Sequence, residues 1–171
     1  MKNYQILAIA LLALSSCGVR SGENTAEQTD SAKVLTDTTV IQKTLVAEMA
    51  IKDTIKIGDS VLLKFTVKNN KADTASFLKW HTPFEPLISK YLDITDENGT
   101  EINYKGAMAK RMMPPPASSY ITLKANDSLS VTTDLLRGYA IDKPAKYTIA
   151  YNSTGVSGLT VKKSVSFVYI K

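Results

Sequence analysis

The sequence predicts an all-β fold, a sandwich of antiparallel sheets with about seven to nine strands. Two features of the text carry this expectation. Beyond residue 45, apolar and polar residues alternate with period two, and Asn-, Asp- and Gly-rich turn signals divide the alternating runs. Alternation of this kind marks strands with one dry and one wet face. No window after the N-terminal leader carries a sustained helical stripe.

The clearest run covers residues 60–68, where Val61, Leu63, Phe65 and Val67 point one way and Lys64, Thr66 and Lys68 the other, with Leu62 out of phase. Residues 128–136 repeat the pattern with Leu129, Val131 and Leu135, residues 146–152 with Tyr147, Ile149 and Tyr151, and residues 164–171 with Val165, Phe167 and Tyr169. Shorter candidates lie at 45–51, 74–80, 91–95, 101–105 and 120–124. Asn69-Asn70-Lys71, Asn98-Gly99 and Asn126-Asp127 separate them, and Asn and Gly suit tight turns because both tolerate positive φ. Many short strands separated by turns argue for an antiparallel sandwich or barrel, and the expected fold is an immunoglobulin-like sandwich occupying residues 40–171.

The first 16 residues have the layout of an export signal: Lys2, an apolar run over 6–14, then Ser15 and Ser16. The run is shorter than the roughly 20 residues that span a bilayer. Leu14-Ser15-Ser16-Cys17 resembles the bacterial lipobox, which implies cleavage before Cys17 and lipidation of that residue. Several acyl chains anchor a protein stably where one does not. The expected location is the cell envelope, and Gly18 rather than Asp after the cysteine favours the outer membrane. Cys17 is the sole cysteine, so no intrachain disulfide can form and the fold must rest on its core.

Residues 17–39 read as a flexible tether, rich in Ser, Thr, Glu and Asp and unable to bury enough surface to offset its ordering entropy. Residues 18–39 carry two basic and four acidic side chains, whereas residues 40–171 carry 18 basic against 12 acidic. The basic residues are scattered, as solvated strand faces require, and nucleic acid is not an expected partner.

Catalytic chemistry finds little support. A zincin motif needs two histidines one helical turn apart, and His81 is the only histidine. Pro83 between His81 and Glu85 excludes a regular helix there. No metal or cofactor is expected. Ser76-Phe77-Leu78-Lys79 matches S-x-x-K, but on a strand residues three apart face opposite ways. The acidic stretch 93–99 lacks the alternate oxygen ligands of a calcium loop and reads as a polar hairpin turn.

Two segments remain as binding candidates. Residues 105–119, KGAMAKRMMPPPASS, join Lys105, Lys110 and Arg111 to Met108, Met112, Met113 and three prolines. Long loops are often functional and methionine makes adaptable contacts. The segment is either such a binding loop or a crossover with Met112 and Met113 tucked into the core edge. The second candidate is the corner 78–87, LKWHTPFEPL, with Trp80, His81 and Glu85. In addition, Asp followed by Ser or Thr and a small or apolar residue occurs six times, at Ser31, Thr38, Thr54, Ser60, Thr74 and Ser128. This resembles the acceptor motif of a bacterial O-glycosylation system, although Asp-Ser and Asp-Thr also suit turns before strands.

The stretch FLKWHTPFEPLISKYLDITDENGTEINYKGAMAKRMMPPPASSYITL resembles the N-terminal β domain of deuterolysin-type metalloendopeptidases. The resemblance rests on Trp80-x-Thr82-Pro83, on Gly99 with Tyr104 and Gly106, and on Lys110-Arg111 before Pro114 and Pro115. It continues through Leu135, Tyr139 and Tyr147, with Ala145 where that family has glycine. The catalytic H-E-x-x-H is absent from this sequence. The resemblance implies a non-catalytic sandwich of the pro-region kind, with Trp80 closing the core and Thr82-Pro83 turning the chain. The expected function is a lipid-anchored, non-enzymatic binding module that regulates or inhibits a peptidase. The alternative is a structural or carbohydrate-associated surface lipoprotein without a peptidase partner.

Overall fold

A computed structural model of the chain describes residues 45–171. Cys17, the leader, the tether, Ser31 and Thr38 lie outside the described residues. Ten strands run β1 (Leu45–Ala50), β2 (Thr54–Lys56), β3 (Leu62–Asn69), β4 (Ala75–Leu78), β5 (Leu92–Thr95), β6 (Tyr120–Leu123), β7 (Ser128–Asp134), β8 (Ala145–Tyr151), β9 (Thr160–Val161) and β10 (Val165–Ile170). One four-stranded sheet has the order β7-β3-β1-β9, a second β2-β10-β8-β5, and β4 pairs with β6 in a two-stranded ribbon. A single helical turn, α1 (Thr154–Ser157), precedes β9.

All three sheets feed one core. Leu63, Phe65 and Val67 enter from β3, Ile149 from β8, Phe167 and Tyr169 from β10, and Phe77 and Leu123 from the ribbon. The period-two reading of residues 60–68 holds through β3, and Leu62, the residue out of phase, is exposed. Aromatic pairs pack both between and within sheets: Phe65 of the first sheet lies 5.6 Å from Tyr151 of the second, and Tyr147 stacks 5.4 Å from Phe167, its cross-strand neighbour in the second sheet. Such pairs contribute about 0.5–1.5 kcal/mol beyond the area they bury.

The structure corrects the sequence expectation in three places. Not every pairing is antiparallel, because β9 runs parallel to β1 and β2 parallel to β10. Both are two- or three-residue edge strands, too short to leave a period-two signal. Residues 101–105 form no strand and make only isolated bridges, Thr95 with Glu101 and Tyr104 with Tyr139. Leu129 was expected in the core but is 39% exposed, because β7 is the outermost strand of its sheet.

Turn chemistry follows the expected positions. Asp96 Oδ1 accepts the Asn98 and Thr100 amides, and Gly99 sits at φ 79°, so the acidic stretch 93–99 closes as a hairpin turn. Asn126 likewise takes a positive φ, 58°. At the other end of β3, the buried Asn69 carboxamide donates to the carbonyls of Asp73, Leu123 and Lys124. It thereby ties the ribbon to the first sheet.

Candidate functional site

The corner and the loop, read from the sequence as separate candidates, meet in space. Thr82 starts the corner: its hydroxyl donates to the Lys79 carbonyl at 2.6 Å and accepts the Phe84 amide at 3.2 Å. This local turn replaces the ladder that β4 abandons at Leu78, and Pro83 and Pro86 keep the segment from becoming a helix. Phe84 enters the core edge, 5.3 Å from Phe77 and 6.2 Å from Phe65. His81 takes φ 58°, a left-handed conformation uncommon outside glycine but one that His adopts more readily than most residues. Its amide donates to Glu85 Oε1 at 3.0 Å, and its carbonyl accepts the Tyr151 hydroxyl at 3.0 Å.

Arg111 reaches this corner from the loop. Its guanidinium carbon lies 4.9 Å from the centre of the Trp80 ring, a cation–π contact. Its Nη2 donates to Glu85 Oε1 and, at 3.0 Å, to Ser89 Oγ. The ion pair is largely out of water, with the Glu85 side chain 6% exposed and that of Arg111 20%. The Arg111 Nε is buried without a partner among the described residues. Trp80 is buried, with Arg111 as its roof, and lies outside the cluster of buried residues that forms the hydrophobic core. Burial lowers the pKa of His81 below the ordinary imidazole value, and the positive charge of Arg111 lowers it further.

Other bonds hold the loop at intervals. The Tyr104 hydroxyl donates to the carbonyls of Leu87 and Ala107, and the Ala109 amide donates to Ile88. Lys79 Nζ reaches the Ser118 carbonyl at 2.9 Å, and the Lys79 amide the Ser119 carbonyl. At Gly106 an added Cβ would strike the Tyr104 ring and lie 2.9 Å from the Leu87 carbonyl oxygen, so glycine is needed for this close approach.

Between these anchors the loop faces solvent. Met108 is 67% exposed, Met112 85% and Met113 77%, and Lys105 and Lys110 are exposed beside them. The methionines are therefore not tucked into the core edge. Arg111 faces the opposite way from its loop neighbours and is committed to the corner. The missed feature was this partnership of Arg111 with Glu85 and Trp80. The pairing spans 26 residues of sequence, and nothing local announces it.

The remaining candidates fall as follows. Ser76 hydrogen-bonds Thr122 across the ribbon while Lys79 bonds Ser118, so the two do not combine. Among the described residues no group of three or more His, Cys, Asp or Glu side chains gathers for a metal ion. None of their helices is long and apolar enough to cross a membrane. The hydroxyl residues Thr54, Ser60, Thr74 and Ser128 are all exposed. Three of the preceding aspartates have structural work of their own: the Asp53 carbonyl accepts the Val168 amide, the Asp73 carbonyl accepts from Asn69, and Asp127 Oδ1 accepts the Ser128 amide.

Residues 48–154 match the family model of the immunoglobulin-like domain. A secreted protein of uncharacterized function from Arthroderma benhamiae is 33% identical over 92 residues, 51% of this chain. The chain spans about half the length of that relative, 47%. Solved structures offer distant likenesses. The Pseudomonas fluorescens alkylpurine DNA glycosylase AlkC, bound to abasic-site DNA, is 10% identical with TM-score 0.39, covering 75% of this chain and 31% of its own. A β-glucosidase mutant from Listeria innocua is 9% identical with TM-score 0.38, covering 74% and 16%. A CARDB domain from Pyrococcus furiosus with di-metal ions is 8% identical with TM-score 0.36, covering 74% and 92%. Likenesses at this level carry no functional argument.

Proposed function

Because the chain belongs to the immunoglobulin-like domain family, we propose that it is a non-catalytic binding module of the cell envelope, anchored by lipid on Cys17. Its contact surface is the exposed crest of loop 105–119. The observation that carries the reading is the set of three exposed methionines, Met108, Met112 and Met113, on a loop held at Tyr104, Ala109 and Arg111. Flexible thioethers supply adaptable apolar contact, and Lys105 and Lys110 favour encounter with an acidic surface. Export is supported by the leader and by the secreted relative. The deuterolysin-like features, Trp80-x-Thr82-Pro83 with the corner they build, favour a peptidase as partner. The exposure of Thr54, Ser60, Thr74 and Ser128 is compatible with O-glycosylation.

Two measurements test the reading. Met112→Ser with Met113→Ser should leave the melting temperature unchanged and reduce capture of envelope proteins relative to the unaltered chain. Equal capture by a stable variant would remove the crest from the binding surface. Addition of the protein to a deuterolysin-type endopeptidase should slow peptide cleavage, and unaltered rates would exclude regulation of that class. Cys17→Ser should leave the membrane fraction, and continued partition with membranes would refute the lipid anchor.

A further inference from the structure

We propose that the outer edge of β7 is a self-association surface, through which two copies of the chain pair antiparallel about Val131. The phase of the hydrogen bonds shows which groups are available. Leu135 donates its amide to the Val61 carbonyl, and Asn69 donates to Asp127, both at 2.9 Å. These bonds bracket the antiparallel register in which Leu62 faces Asp134 and Lys68 faces Ser128. In an antiparallel ladder, residues that exchange both bonds with their neighbour alternate with residues whose N–H and C=O point the other way. Leu129, Val131 and Thr133 therefore bond inward to β3. Ser130 and Thr132 direct their amides and carbonyls outward, where β7 has no neighbouring strand among the described residues.

Among the four outer edges of the two four-stranded sheets, this one differs from the other three. β2 has three residues and ends in Lys56, and β9 has two. β5 has four, with Asp93 paired to Lys90 and Thr95 already bridged to Glu101. β7 has seven residues, SLSVTTD, with no proline, lysine or arginine. Those are the devices that ordinarily protect a sheet edge.

A second copy fits this edge in both register and charge. With the twofold axis at Val131, Ser130 of one copy opposes Thr132 of the other, so each outward amide meets an outward carbonyl. Val131 opposes itself as a non-bonded pair, and Leu129 opposes Thr133. The only charge on the strand, Asp134, falls opposite Ser128 rather than opposite itself. Leu129, 39% exposed, and the half-buried Val131 gain apolar cover. The result is a continuous eight-stranded sheet across the two copies. This surface is independent of the loop crest.

The test uses the full chain with Cys17→Ser, which removes its only thiol. Sedimentation equilibrium should show a concentration-dependent dimer. Ser130→Lys with Thr132→Lys places lysines opposite lysines and should weaken association by about tenfold or more. Both side chains lie on the wet face of the sheet, so the fold should remain. Mixing that variant with Ser130→Glu/Thr132→Glu should restore a heterodimer. Independently, Val131→Cys should form an intermolecular disulfide on mild oxidation, since non-bonded antiparallel pairs bring Cα atoms to about 4.5 Å. A monomer at all soluble concentrations overturns the proposal. So does a dimer indifferent to the lysines, or a Val131→Cys protein that stays reduced.

Discussion

Arg111→Ala is the most informative single change, because it separates the latch from the crest of the same loop. Removing one partner of a fully buried ion pair costs about 3–5 kcal/mol, chiefly because the remaining charge is stranded. The Glu85 carboxylate would keep the His81 amide as a donor but lose the guanidinium. Two facts reduce the figure: the Arg111 side chain is 20% exposed, and its Nε has no partner to lose. One increases it: the roof over Trp80 disappears, a contact worth about 0.5–2 kcal/mol. The expected loss is about 2–4 kcal/mol, a large share of a domain's stability. Urea unfolding followed by fluorescence reads it directly, because Trp80 is the sole tryptophan and lies under the substituted residue. Native emission should also move red as water reaches the indole.

Controls sharpen the measurement. Lys110→Ala, one residue away and exposed, should stay within about 0.5 kcal/mol of the parent. Arg111→Met with Glu85→Gln should recover much of the loss, because replacing both partners strands no charge. A double-mutant cycle should give a coupling of about 1–3 kcal/mol. A loss below about 0.5 kcal/mol for Arg111→Ala, with unmoved Trp80 emission, would refute the latch and return Arg111 to the solvent-facing set.

Three further outcomes are expected. His81 has a folded pKa below its unfolded value, so the unfolded chain binds the proton more readily. Stability from this group is full above about pH 6.5 and lost as pH falls through the folded pKa. His81→Asn, which tolerates the left-handed backbone, should flatten that part of a pH–stability curve, and an unchanged slope would assign it to other groups. Gly106→Ala should destabilise by about 1–3 kcal/mol in denaturant unfolding, since the added carbon meets the Tyr104 ring and the Leu87 carbonyl; a neutral result would mean the loop base yields freely. Phe65→Ala, at the meeting of Phe84 and Tyr151, should cost about 3–5 kcal/mol by the same measurement. A loss under about 1 kcal/mol would deny it that central place.

The fold was legible wherever a strand is wet on one face and long enough for alternation to register, as in β3, β8 and β10. It was illegible at β2 and β9, where two or three residues are held by tertiary pairing rather than by any pattern of their own. Alternation also cannot tell a central strand from an edge strand. Leu129 obeys the period yet stays exposed, because β7 is the outermost strand of its sheet. In the site, the corner could be anticipated from Thr82, Pro83 and Trp80, since turn chemistry is local. The pairing of Arg111 with Glu85 could not, because a basic residue among exposed neighbours carries no sign of the direction it faces.

That direction decides what the loop can do. A free 15-residue segment would lose much conformational entropy on meeting a partner. Loop 105–119 is already held at Tyr104 and Ala109, at Arg111 in its middle and at Ser118 and Ser119 near its end. Its backbone is fixed by contacts that point inward, while Met108, Lys110, Met112 and Met113 project between them. Conformational freedom is thereby confined to side chains whose rotamers suit an irregular apolar surface. Arg111, read from the sequence with Lys105 and Lys110 as a basic residue of the binding loop, contributes by holding its neighbours out.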